Sequence, residues 1–158
     1  MLRAFSGGTV AELSAGLLAD PARHRERESR VPPLLALPAQ SPLLLKVREE
    51  DATTGRRWAA WEVARGLGEL TAALVRAARP RALFCCGGDT ASAVMEEVGA
   101  WGSELLREVV PGMVLGLLRG GVLDGIPLVT KPGSFGTDED LVELHRYLTA
   151  QRKGHTPS

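Results

Sequence analysis

Two short glycine-containing segments have the residue types that bind phosphate. The first follows an apolar run and comes directly before a helix-like stretch: Gly87, Gly88, Asp89 and Thr90. Glycine lets backbone N–H groups approach an anion closely, and a helix N-terminus adds about half a positive charge. The pattern permits two interpretations, a phosphate site or a simple tight turn.

The second segment, residues 131–136, combines a cation, a hydroxyl donor and two glycines: Lys131, Ser134, Gly133 and Gly136. Lysine supplies a positive charge to phosphate oxygens, and glycine again permits close approach of the backbone. The acidic residues 138–140 open the next helix, where their charges repel a bare phosphate. We therefore expect phosphate to contact the loop amides and Lys131, with Mg²⁺ bridging any contact to these carboxylates.

One turn and two aromatic residues are further candidates. Pro111 and Gly112 form a turn in which a backbone can pass close to a ligand, and a plain turn is the alternative. Trp58 and Trp61 flank the apolar face of a long helix. Their placement favours packing in the core or at a domain interface, and stacking on adenine is the alternative.

The elements that position these residues alternate between strands and helices. Strand-like apolar runs cover residues 43–47, 82–86, 105–110 and 126–130, with 82–86 expected at the centre of the sheet. Helical signals cover residues 9–19, 60–77, 89–98 and a final helix with a leucine stripe at 141, 144 and 148. The alternation predicts an α/β fold, with three α/β/α layers and a central sheet that is largely parallel or mixed. Both glycine segments then follow strands, where open α/β sheets bind ligands.

The length and punctuation of the chain predict its domain organisation. A chain of 158 residues matches one domain of about 150 residues. Residues 1–41 are interpreted as a short N-terminal helix followed, from residue 20, by an exposed linker or mobile loop. Residues 42–153 form the predicted α/β domain, and residues 154–158 a frayed tail.

The composition excludes several classes of protein. Positive and negative residues number 19 each, so the chain lacks the broad basic field typical of nucleic-acid binding. No apolar stretch approaches the ~18 residues of a membrane span, and Glu12 interrupts the stretch that a signal peptide would need. The adjacent Cys85 and Cys86 provide no disulfide framework and are interpreted as strand packing. We expect a soluble cytoplasmic protein that binds neither nucleic acid nor membrane.

Three motifs in order and spacing resemble a known family. They are FCCGGDT at residues 84–90, EVVPGMVLG at 108–116 and VTKPGSFGTDEDL at 129–141. The set is similar to the C-terminal nucleotide-binding domain of the four-carbon acid sugar kinases, some of which carry a type III effector label. The resemblance covers about residues 42–148.

The resemblance implies an ATP site with Mg²⁺ and a division of labour between two domains. It places residues 87–90 beside the nucleotide, and Gly133, Ser134 and Gly136 near its phosphates. A serine-containing glycine turn at the start of such domains corresponds to residues 6–9, which include Ser6. The Asp-rich motif of the sugar-binding domain is absent, so the chain is interpreted as an excised, truncated or split half.

The isolated chain is accordingly expected to be inactive as a phosphotransferase. It would need a sugar-binding partner domain, and it is also a candidate homo-oligomer. Two other readings stay open at this point. One is a non-catalytic or regulatory module that binds nucleotide, and the other is an effector-like interaction module.

Overall fold

The computed structural model describes residues 8–37, 42–48, 58–133 and 140–150. The described strands are β1 (Thr9–Ser14), β2 (Leu43–Arg48), β3 (Leu83–Cys86), β4 (Gly102–Val110), β5 (Met113–Arg119) and β6 (Pro127–Lys131). The described helices are α1 (Ala15–Ala19), α2 (His24–Ser29), α3 (Val31–Leu35), α4 (Ala60–Ala77), α5 (Gly88–Glu97) and α6 (Asp140–Ala150). Short 3₁₀ turns cover Pro21–Arg23 and Gly121–Leu123.

The described strands form two sheets rather than one central sheet. Strands β1 and β2 pair in parallel, and the second sheet has the order β3-β6-β5-β4. In the second sheet β3 and β6 are parallel, whereas β5 is antiparallel to both of its neighbours. The sheet is therefore mixed. The prediction of a central position for residues 82–86 is wrong, because β3 lies at one edge of the described sheet.

Helices cover both faces of the four-stranded sheet, which confirms the predicted α/β/α layers. On one face Cys85, Leu118 and Leu128 are buried in a cluster that includes α5 residues and, behind them, α4 residues. On the other face Val129 is buried with Leu144 of α6. Neighbouring strand residues such as Leu128 and Val129 serve opposite faces because side chains alternate along a strand.

Helix α4 connects the two sheets by packing closely on both sides. A Cβ atom added at Gly66 would lie 1.9 Å from the Leu18 carbonyl oxygen of α1. One added at Gly68 would lie 2.8 Å from the Ala93 carbonyl oxygen of α5. Glycine costs about 1 kcal/mol relative to alanine inside a helix, and here the absent side chains allow two helix contacts. Leu70 and Leu74 pack with α1 and β2 in a further apolar cluster.

The N-terminal region differs from its sequence-based interpretation. Residues 9–14 form β1 rather than the start of a helix, and only Ala15–Ala19 are helical. The helix begins at Ser14, whose hydroxyl accepts a hydrogen bond from the Leu17 amide at 3.1 Å. The change from strand to helix was missed because TVAELS has no strong period of its own, and parallel pairing with β2 decides its conformation.

The predicted linker from residue 20 is also wrong over residues 21–35, which form a 3₁₀ turn and two short helices. Arg27 holds this region, with 5% of its surface exposed. Its guanidinium donates to the carbonyls of Leu17 and Asp20 at 3.1 and 2.8 Å, and to the Glu69 carboxylate of α4 at 2.9 Å. These contacts reach 42 residues along the chain, so local composition does not reveal them. The proposed domain boundary at residue 41 stays a prediction.

The other predicted elements agree closely with the structure. Strand β2 and helices α4 and α5 lie within a residue or two of their expected bounds, and Gly99 follows α5 with φ +73°. Strand β4 begins three residues before its prediction, and strand β5 was not expected. Thr137, whose spacing to Asp140 is a sequence signal for the start of the final helix, lies outside the described residues, as does the tail at 154–158. Within the described part of the chain, no helix has the length and apolar character to span a bilayer.

Candidate functional site

A cleft of about 550 Å³ lies where β1, β2 and β3 end. Parallel strands present their carboxyl ends at the same edge, and this edge is where open α/β sheets bind ligands. The cleft collects residues from the starts of α1, α4 and α5 and from the end of β2. Its lining residues are Ala15, Val47, Arg48, Ala60, Val63, Ala64, Leu67, Gly87, Gly88, Asp89 and Thr90.

The first predicted segment, residues 87–90, forms one wall of this cleft. Gly87 has φ +97°, a left-handed conformation that favours glycine, and it precedes the ten-residue helix α5. Since Gly87 has no side chain to cap the helix, the first-turn N–H groups of α5 face no competing side-chain cap. The Gly87 carbonyl accepts the first helical bond from Ala91 at 3.1 Å. This wall therefore offers backbone donors and the positive end of a helix dipole to an anion.

The opposite wall is apolar except at its end. Val63 and Leu67 come from the helical stripe that the sequence assigns to the core, so one stripe serves both the core and the cleft. Arg48 ends β2 and is exposed. Among the described lining residues, Arg48 and Asp89 are the charged ones. Arg48 was not a predicted site residue, and its signal in the sequence is only a cation directly after an apolar strand.

The second predicted segment lies beside the first. The Gly87 N–H donates to the Lys131 carbonyl at 2.8 Å, at the parallel pairing of β3 with β6. A Cβ atom on Gly133 would lie 3.8 Å from the Gly87 Cα, so the two loops are in contact. The Lys131 Nζ lies 3.4 Å from the Pro132 carbonyl, and the described lining residues of the cleft do not include Lys131. Ser134 and Gly136 lie outside the described residues.

Gly112 and the described residues Gly8 and Thr9 do not line the cleft. Gly112 lies in the β4–β5 turn, and its N–H donates to the Glu108 carboxylate at 2.7 Å. It is at the same edge of the sheet as Lys131 but is not a described lining residue. Ser6 lies outside the described residues. Gly8 and Thr9 lie at the amino end of β1, and Thr9 is about 17 Å along the strand from Ser14, which pairs with the lining residue Arg48.

A second groove of about 390 Å³ continues from the cleft between α4 and α5. Its lining residues are Trp61, Ala64, Arg65, Asp89, Ser92, Ala93, Glu96 and Glu97, and Ala64 and Asp89 line the cleft as well. Trp61 is 61% exposed, so it does not pack in the core, and of the predicted roles packing at a domain interface and stacking on adenine stay predictions. The Arg65 guanidinium lies over the indole, 5.6 Å from the ring centre. We call this region the α4–α5 groove.

The two cysteines before the glycine loop differ in environment. Cys85 is buried and Cys86 is exposed. Burial, together with the neighbouring Cys86, raises the pKa of the Cys85 thiol to about 11. The thiol therefore stays neutral at physiological pH and packs in the apolar layer under α5, as a buried uncharged cysteine does.

The described side chains hold no group of three or more His, Cys, Asp or Glu residues arranged as a metal site. The acidic residues 138 and 139, and the side chain of Asp140, lie outside what the structure describes.

The fold and the cleft define a class of protein, an α/β domain that presents a glycine loop and a helix N-terminus at the end of its parallel strands. The chain matches the model of the nucleotide-binding C-terminal domain family over residues 5–141. It therefore belongs to this family, the C-terminal domain of the four-carbon acid sugar kinases. The resemblance drawn from the three motifs is confirmed.

Two curated relatives are D-threonate kinases. The chain is 43% identical to the one from Bordetella bronchiseptica over 57% of its own length and 22% of that enzyme. It is 31% identical to the one from Salmonella typhimurium over 70% of its length and 26% of that enzyme. The aligned part of the chain thus spans about a quarter of the length of these curated relatives.

Solved structures agree with the fold. A domain of unknown function from Bordetella bronchiseptica, solved with bound citrate as a domain-swapped dimer, is 33% identical with a TM-score of 0.79. The match covers 90% of this chain and 35% of that one. A Haemophilus influenzae protein has the same fold at 18% identity and a TM-score of 0.64.

Proposed function

We propose that this chain binds Mg·ATP in the cleft and serves as the ATP-binding part of a kinase that phosphorylates a four-carbon acid sugar. The observation that carries the proposal is the position of residues 87–90. They place a glycine turn and the N-terminus of α5 in the cleft where the strands β1, β2 and β3 end. Membership of a nucleotide-binding family supports the choice of ligand.

The described residues fit a polyphosphate. The loop amides at the start of α5 donate to phosphate oxygens, and Gly88 leaves space because an added Cβ would have no protein atom within 4 Å. Arg48 lines the cleft and Lys131 pairs with Cys86 at the end of β3, and we expect both to supply positive charge to the phosphates. Bound Mg²⁺ would neutralise phosphate charge and orient the terminal phosphoryl group. The proposed carboxylate partners of Mg²⁺ are the acidic residues 138–140.

The acid sugar is proposed to be held outside the described cleft. The relatives are D-threonate and D-erythronate kinases, and the alignments cover 17–26% of their lengths. A phosphoryl transfer also needs a group that positions the attacking hydroxyl and accepts its proton. We propose that a sugar-binding domain or partner chain supplies these groups, as the Asp-rich motif is absent from this sequence.

Calorimetry with the chain, Mg²⁺ and ATP or ADP tests the binding proposal. We expect a Kd of roughly 10–1,000 μM, or about 4–7 kcal/mol, because the cleft is open to solvent. Gly112→Ala, which changes a glycine turn away from the cleft, is the matched control for substitutions at residues 87–90. Absence of both heat and a thermal shift at millimolar nucleotide would contradict the proposal.

A coupled kinase assay tests the division of labour. With ATP and either D-threonate or D-erythronate, the chain alone is expected to give no turnover above its background ATP hydrolysis. Robust turnover by the chain alone would show that the sugar site is within it.

Light scattering in solution tests the prediction of a homo-oligomer, which the domain-swapped dimer of the Bordetella relative supports.

A further inference from the structure

The α4–α5 groove is continuous with the cleft and differs from it in chemistry. The two regions share Ala64 and Asp89, so a ligand longer than a phosphate group can occupy both. Along α5, the groove runs from Asp89 to Glu96, a distance of about 10 Å at the helical rise per residue. The cleft offers backbone amides, whereas the groove offers an exposed aromatic ring, a serine hydroxyl and carboxylates.

The exposed ring in this groove is held in place from one side. Arg65 lies over Trp61 at 5.6 Å and pairs with the Glu69 carboxylate at 3.8 Å. Glu69 in turn accepts a hydrogen bond from the buried Arg27 at 2.9 Å. A tryptophan that is 61% exposed and fixed by a cation on one face is a stacking surface for a flat ligand.

The charges of the groove exclude phosphate and favour hydrogen-bond donors. Beyond Asp89, which the groove shares with the cleft, Glu96 and Glu97 outnumber the single cation Arg65 among the described groove residues. Carboxylates repel phosphate, but they accept hydrogen bonds from an amino group or from hydroxyl groups. Ala93 and Ser92 keep the floor of the groove low, where α5 packs against Gly68.

We propose that the α4–α5 groove binds the base and ribose of the nucleotide, with the base stacked on Trp61. This inference rests on the proposed function, because it requires the phosphates to lie at residues 87–90. The bound nucleotide then has one orientation. Its anionic end lies at the glycine loop, and its amino and hydroxyl groups lie beside the carboxylates of α5.

Calorimetry with two probes, ATP and inorganic tripolyphosphate, tests the inference on the full chain. Trp61→Ala is expected to weaken ATP binding about ten-fold and to leave tripolyphosphate unchanged, because only ATP carries a base to stack. Trp61→Phe keeps an aromatic ring and is expected to recover most of the affinity. Trp101→Ala is the matched control, since Trp101 is 81% exposed and lies at the opposite edge of the four-stranded sheet.

Tryptophan fluorescence gives a second readout. ATP is expected to quench the wild-type chain more than Trp61→Phe, and tripolyphosphate is expected to quench neither. Equal losses for both probes in Trp61→Ala, or no loss for either, would overturn the inference and leave the phosphate site in place. A wild-type chain that binds tripolyphosphate as tightly as ATP would also overturn it. A wild-type chain that binds neither probe would overturn the proposed function together with this inference.

Discussion

Two glycine turns lie at the same edge of the four-stranded sheet and differ in what they present. Gly87, after β3, has φ +97° and donates its N–H to the Lys131 carbonyl of the neighbouring strand. Gly112, after β4, has φ +77° and donates its N–H to the carboxylate of Glu108 in its own hairpin. The first turn leads into a helix whose N-terminus faces a cleft. In the second turn, the Glu108 carboxylate of the same hairpin occupies the glycine N–H.

The difference shows that the neighbouring elements decide whether a glycine turn is available to a ligand. Strand β3 lies at the sheet edge, and α4 together with the β1–β2 pair leaves a crevice next to its carboxyl end. A two-residue turn joins β4 directly to β5, its antiparallel partner. A crossover to a helix leaves donors exposed at the strand end, whereas a hairpin directs the chain back along the sheet.

The largest expected effect is on the first turn. Gly88→Val should weaken the affinity for ATP at least about 100-fold, equivalent to about 2.7 kcal/mol, since the branched side chain fills the space in front of the α5 amides. The fold should survive, because no protein atom lies within 4 Å of the added Cβ. Calorimetry measures the affinity and circular dichroism the fold. Normal ATP binding by a folded variant would show that residues 87–90 are only a turn.

The stability of the chain should fall at alkaline pH because of Cys85, in the strand that precedes the first turn. Burial raises the pKa of Cys85 from 9.0 to about 11, so the folded chain retains a proton that the unfolded chain releases. Stability from this group is complete below pH 9 and is lost as the pH rises towards 11, by roughly 2–3 kcal/mol. Urea unfolding at pH 8 and at pH 10.5 measures it. The same loss in Cys85→Ala would assign the effect to other groups.

The cation next to the first turn should act on phosphate alone. Lys131→Ala is expected to weaken the binding of ATP by about 2 kcal/mol and to leave the binding of adenosine almost unchanged. The reason is that a charge-assisted contact to phosphate has no partner in a nucleoside. Competition against a fluorescent nucleotide measures both ligands. If both weaken equally and the melting temperature falls, Lys131 maintains the shape of the loop instead of contacting the phosphates.

The smallest expected effect is on the second turn. Gly112→Ala should cost about 1 kcal/mol of unfolding free energy, because an L-residue is strained at positive φ. ATP affinity should stay within about two-fold, since the Gly112 amide already pairs with Glu108. Urea unfolding and calorimetry separate the two quantities. A large loss of ATP affinity at unchanged stability would place the second turn in the nucleotide site and remove the contrast between the turns.

Much of the chain from residue 60 onward could be predicted from the sequence, because its signals are local. The period of α4, the stop at Gly99 after α5 and the glycine pair after the apolar run 82–86 each depend on residues a few positions apart. Such patterns specify an element and its ends wherever the chain runs. They also located one wall of the cleft, at residues 87–90.

The rest depended on contacts between residues far apart in the sequence. Residues 21–35 are held by Arg27, which donates hydrogen bonds to the Leu17 carbonyl of α1 and to the Glu69 carboxylate. Residues 9–14 form a strand because β2 pairs with them. The exposure of Trp61 and the closure of the Gly112 amide by Glu108 follow from how neighbouring elements pack. The sequence by itself determined which turns contain glycine. Only the tertiary structure decided which of them opens on a cleft, because a crevice is a property of the elements on both of its sides.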